Sequence, residues 1–162
     1  MNRIFISLGS NIDAHTHIRN GLNDLARHFE RVRISTVFES EAVGFEGDNF
    51  LNLVAEAYTD KPIAEVVACF KQIEQDHGRV RGAKKFASRT LDLDLLLYGD
   101  VQCTEPVELP RGEIFHNDFV LWPLSELWPE GILPGVKDTL AQLWHDHPKH
   151  QKLWPTDFNW PD

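Results

Sequence analysis

The sequence predicts an α+β sandwich, a mostly antiparallel sheet with helices packed on its faces. Three observations carry that prediction. Apolar spacing switches between the strand period of two and the helical period of 3.6 in the order β-α-β-β-α-β, an order that in its simplest form lays the helices on one face of the sheet. The 162 residues, 42% of them hydrophobic, suffice for one domain with one sizeable core. No repeat, low-complexity tract or linker divides them, so a single domain is expected over residues 1–162.

Ile4 to Leu8 reads as a buried strand, ended by the turn signal Gly9-Ser10-Asn11. Asp13 stands where a cap is wanted for the helix carrying Ile18, Leu22, Leu25 and Phe29 at helical spacing. Val32 to Phe38 alternates and is rich in β-branched residues, which predicts one strand. A Gly-containing acidic loop, 41–49, leads to a second strand from Phe50 to Tyr58. Pro62 then opens a helix with the stripe Ile63, Val66, Val67, Phe70 and Ile73, and Gly78 closes it. Leu91 to Tyr98 is a strongly apolar strand carrying two aspartates. Beyond it lie a proline-punctuated stretch, the apolar run Phe119-Val120-Leu121 and a short helix near Thr139 to Trp144.

Composition narrows the function. A net charge of −9 opposes general affinity for nucleic acid. No run of about 18 apolar residues exists to span a membrane. Cys69 and Cys103 are far apart without metal-like spacing, as expected of plain thiols in a reducing cytoplasm. His145, His147 and His150 read as bystanders near a terminus, and Trp144, Trp154 and Trp160 match no chemistry. The positive charge is concentrated: Arg79, Arg81, Lys84, Lys85 and Arg89 supply five of the sixteen basic residues. An acidic chain with one basic loop points to a small polyanion docked at one place.

Asp92-Leu93-Asp94 lies inside an apolar strand. Side chains at i and i+2 share a face, so the two carboxylates are neighbours while Leu93 faces away. Carboxylates that close repel unless a cation lies between them, and such hard oxygen donors suit Mg²⁺. An exposed edge pair, or salt-bridge partners of Arg89, would look the same from this strand alone. The basic loop adds what phosphoryl transfer requires, guanidiniums clamped on phosphate charge beside a metal-binding pair. No Walker-type or kinase-type glycine loop is present, so any nucleotide site is of another kind. A metal-dependent nuclease using the same aspartates is a weaker reading that the acidic surface opposes.

Five strings then carry a resemblance: SLGSN at 7–11, FLN at 50–52, IEQDHGRVR at 73–81, SRTLDLDLLLYG at 88–99 and FVLWPLSELWPE at 119–130. In order and spacing they resemble the 6-hydroxymethyl-7,8-dihydropterin pyrophosphokinase family of folate synthesis, from the first strand to about residue 130. The resemblance implies a ferredoxin-like fold and diphosphate transfer from ATP to the pterin hydroxymethyl group, releasing AMP. It implies two Mg²⁺ ions on Asp92 and Asp94, with Arg79 and Arg89 reaching the phosphates. Glu74, Arg81, Leu95, Arg111 and His116 fall at nucleotide positions. Ser40, Val43, Asn52 and Asp92 fall at pterin positions, with Phe50 and Phe119 as the rings that sandwich it. ATP and the pterin are the partners implied, with no obligate protein partner.

The chain departs from that family at four places. Pro110-Arg111 replaces a proline-histidine pair, Asn117 an arginine, and Phe86 a frequent tryptophan, while Ser40-Glu41-Ala42 lacks a proline. These changes leave the aspartates intact and rearrange the cations. They keep open the alternative of a diverged pterin- or nucleotide-binding paralogue with weak or altered activity.

Overall fold

A computed structural model describes residues 1–41, 48–78, 90–149 and 151–161. Strand β1 (Asn2–Ser10) leads into helix α1 (Ala14–His28), then β2 (Glu30–Ile34), β3 (Val37–Ser40) and β4 (Phe50–Thr59). Helix α2 (Ile63–Asp76) and strand β5 (Asp92–Tyr98) follow. Helix α3 (Asp118–Leu127), helix α4 (Leu140–Asp146) and strand β6 (Leu153–Thr156) complete the order. All strand pairs are antiparallel, in the order β5-β1-β4-β3-β6, with β2 on the remaining length of β4. Among the described residues, no helix is long and apolar enough to cross a membrane.

The sheet is covered on both faces. Alternation along β1 sends Ile4, Ile6 and Leu8 to one side, where Ile18, Leu22 and Leu25 of α1 and Val66, Phe70 and Ile73 of α2 pack. Phe5 of β1 and Val54 of β4 face the other side, against Val120, Leu121 and Leu124 of α3 and Leu140 of α4. Burying each such side chain is worth about 1.5–3 kcal/mol. The β-α-β-β-α-β pattern thus places α1 and α2 on one face as read, and the later helices form a third layer.

Several local expectations need correction. Gly9 and Ser10 are not a turn: β1 runs through both, paired to Asn52 and Leu51 of β4. Asp13 is the residue before α1 but makes no side-chain cap, because it sits in the left-handed region at φ 44°. Val32 to Phe38 is not one strand. It breaks at Ser35-Thr36, where Ser35 Oγ accepts the Val54 N–H at 3.0 Å in place of a backbone carbonyl. Glu126 of α3 accepts both the N–H and the hydroxyl of Thr36. The apolar run at 119–121 is the first turn of α3. Gly78 does follow the end of α2, in the left-handed conformation at φ 85° that glycine tolerates. Thr139 caps α4 as its helix signal requires, accepting the Gln142 N–H at 3.2 Å.

Candidate functional site

The strand period places the site. In β5, Leu93 and Leu95 point into the α1/α2 core, so Asp92 and Asp94 point to the α3 side, both partly exposed. In β4, Leu51 and Leu53 enter the α1/α2 core, so Phe50 and Asn52 also face α3. Ser40 stands opposite Phe50, and Phe38, two residues before it, meets Trp122 of α3 with ring centroids 4.4 Å apart. Phe119 packs from α3 toward the same layer. One face of one sheet end therefore collects Ser40, Phe50, Asn52, Asp92, Asp94 and Phe119.

Register leaves the centre of this face without a side chain of its own. Gly9 is opposite Asn52 on one side and Asp92 on the other, so an amide and a carboxylate flank a residue without a side chain. A Cβ on Gly9 would lie 2.8 Å from Asn52 Oδ1. Glycine within a strand often marks where a ligand approaches the backbone, which is the role a turn reading of 9–11 obscured.

The outer edge of β5 holds the next group. Glu74 is buried on α2, and its Oε2 accepts the Leu93 N–H at 2.8 Å. Arg111 lies along the same edge. Its backbone N–H donates to the Leu96 carbonyl at 3.0 Å, its Nε to the Leu95 carbonyl at 3.2 Å, and its Nη2 to Asp94 Oδ1 at 3.4 Å. Leu95 itself is a core side chain, 1% exposed, so only its backbone is available at this edge. His116 is exposed, one residue past the short 3-10 turn Gly112–Phe115. The expected site residues Val43, Arg79, Arg81 and Arg89, with Lys84, Lys85 and Phe86, lie outside the described residues.

Just before residue 79 the chain is anchored by a relay. His17 Nδ1 meets His77 Nδ1 at 2.8 Å, and His77 Nε2 meets Asp24 Oδ2 at 3.2 Å. Burial, then the neighbouring His77, lowers the His17 pKa against the opposing pull of Asp13. The relay joins α1 to the end of α2.

One hollow lies elsewhere. A cavity of about 260 Å³ lined by Arg3, Phe5, Leu97 and Trp128 sits at the other end of β1, four residues or roughly 13 Å from Gly9. Asp100 is the single acid in its lining, so it lacks the carboxylate pair found toward the Gly9 end.

Comparison with known proteins identifies the family. Residues 5–129 match the family described as 7,8-dihydro-6-hydroxymethylpterin-pyrophosphokinase. The chain belongs to this family. It is 36% identical over 146 residues to the 2-amino-4-hydroxy-6-hydroxymethyldihydropteridine pyrophosphokinase of Aquifex aeolicus, covering 88% of this chain and 91% of that one. The enzyme of the same name from Pseudomonas aeruginosa is 33% identical over 141 residues, 82% and 84% of the two chains. A solved Plasmodium falciparum HPPK-DHPS chain superposes with a TM-score of 0.73 at 13% identity, over 89% of this chain. This chain spans 45% of that longer one, and the likeness speaks for the fold alone. Membership makes the protein a hydroxymethyldihydropterin pyrophosphokinase, a transferase of folate synthesis. All five strings that carried the resemblance fall within or at the edge of the matched region.

Proposed function

We propose that this protein transfers diphosphate from ATP to the hydroxymethyl oxygen of 6-hydroxymethyl-7,8-dihydropterin in the cytoplasm, with two Mg²⁺ ions held by Asp92 and Asp94. The observation that carries the reading is the row Asn52–Gly9–Asp92, which puts an amide and a carboxylate on either side of a residue without a side chain. An amide offers donor and acceptor together, as the polar edge of a pterin needs. Phe50 and Phe119 lie on the same face and would hold a flat heteroaromatic ring between them. The donor set also fits a hard cation: Asp94 already draws the Arg111 guanidinium to 3.4 Å. When bound, Mg²⁺ would neutralise phosphate charge and orient the β-phosphate.

Asp92 and Asp94 then place the triphosphate against the sheet edge, with Glu74 and Arg111 beside it. Arg79, Arg81 and Arg89, from the basic segment, are assigned to the phosphate charge. The hydroxymethyl oxygen bonds to the β-phosphorus, the bond to the α-phosphate oxygen breaks, AMP leaves and the hydroxyl proton passes to solvent. Among the described residues no side chain is placed as a strong base, so positioning and charge carry the barrier. Incubation with ATP, Mg²⁺ and hydroxymethyldihydropterin should release AMP in step with pterin diphosphate. Tight pterin binding without AMP release would instead favour a binding paralogue.

Arg111 has a measurable part in this scheme. Because it competes for Asp94, Arg111→Gln should tighten Mn²⁺ binding without nucleotide by about fivefold, read by electron paramagnetic resonance. The same variant should raise the KM for ATP by roughly tenfold, since one guanidinium is lost from the phosphate side. Unchanged Mn²⁺ affinity would separate Arg111 from the metal site.

A further inference from the structure

The part of the chain after residue 129 lies outside the family match, yet it reaches both walls of the pterin face. Asp118, the first residue of α3 and the neighbour of Phe119, is a carboxylate only 1% exposed. His147 Nε2 meets its Oδ1 at 2.8 Å, and the Gln151 N–H donates to its Oδ2 at 3.2 Å. In return the Asp118 N–H donates to Gln151 Oε1 at 2.8 Å. The expectation that His147 is a bystander is therefore wrong. Its side chain is 9% exposed and forms one jaw of a clasp on a buried acid.

Beyond the clasp, β6 pairs with β3 and sets Leu153 opposite Ser40. The chain then turns onto the opposite face of the sheet. There the Arg19 guanidinium lies 5.0 Å from the Phe158 ring centroid, and Trp160 Nε1 donates to Asn23 Oδ1 at 2.9 Å. On the α3 side, Trp144 stacks on Trp122 at 5.2 Å. One segment thus holds α3, the β3 edge and α1 together.

We infer that Asp118, clasped by His147 and Gln151, is a positioning residue that sets Phe119 against the pterin, with β6 setting Ser40 from the other side. The physical ground is the cost of disorder at a helix start. Unclasped, the first turn of α3 would carry a buried carboxylate without partners and a loose N–H. An aromatic wall on that turn would lose its fixed orientation, and a stacking site has affinity only when its walls are held in place. The inference rests on the proposed pterin face.

The test titrates hydroxymethyldihydropterin by fluorescence in the presence of a non-hydrolysable ATP analogue. Asp118→Ala should raise the pterin Kd by about tenfold while nucleotide Kd stays within about twofold. Asp118→Asn keeps an acceptor for the Gln151 N–H and offers a donor to the His147 ring, so it should restore the affinity. His147→Phe keeps the ring beside Trp144 and removes only the polar jaw; it should shift pterin Kd in the same direction, and it decides the matter if Asp118→Ala does not fold. Phe119→Ala is the reference for the face itself. If Phe119→Ala leaves pterin Kd unchanged, the pterin face is misassigned. If Phe119→Ala weakens pterin while the folded clasp variants do not, the positioning role is overturned.

Discussion

Asp94→Asn should lower turnover by about 10³-fold or more while hydroxymethyldihydropterin affinity stays within about threefold. The two carboxylates share a face because strand geometry alternates, and in the proposed site the second negative charge would draw a divalent cation beside phosphate. The amide keeps size and hydrogen-bonding shape but removes that charge. It also removes the ion pair with Arg111, now at 3.4 Å. Stability should change little, since Asp94 is partly exposed and pairs at the surface. Stopped assays of AMP formation, run beside a pterin titration, provide both numbers. Full turnover in this variant would remove Asp94 from the metal site.

Gly9→Val should abolish pterin binding in practice, raising its Kd by about 100-fold or more with the fold intact. Valine suits a strand, so β1 tolerates it locally. Its Cβ, however, would stand 2.8 Å from Asn52 Oδ1, and its branches would fill the gap between Asn52 and Asp92. Either the amide turns away from the ligand or the ligand cannot reach the sheet. Nucleotide binding at the β5 edge should persist. Thermal denaturation separates this from misfolding: a melting temperature near that of the parent, with pterin binding lost, is the expected pair. Retained pterin affinity would show that the ligand does not sit over Gly9.

Legibility of the site in the sequence tracked the range of the interactions. Asp92 and Asp94 were readable as a facing pair because they are two residues apart. Gly9 was misread as a turn because glycine signals both a bend and an open strand position, and only its partners tell them apart. Arg111 could be recognised as a departure from the family, but not as a partner of Asp94 seventeen positions earlier. The broken strand at Ser35-Thr36 escaped because serine substitutes its hydroxyl for a ladder acceptor, which leaves apolar alternation intact. His147 escaped because a polar residue near a terminus carries no periodic signal, and its burial depends on where Asp118 lies.

By itself, then, the sequence determined the alternating faces of β1, β4 and β5, the amphipathic stripes of α1 and α2, and the carboxylate pair on one side. Backbone geometry imposes those periods whatever the strands pack against. Only the tertiary structure decided that Gly9 falls between Asn52 and Asp92, that Arg111 meets Asp94, and that the last residues clasp Asp118. Register and long-range contact follow from how the layers fit together, and no local pattern of residues encodes them.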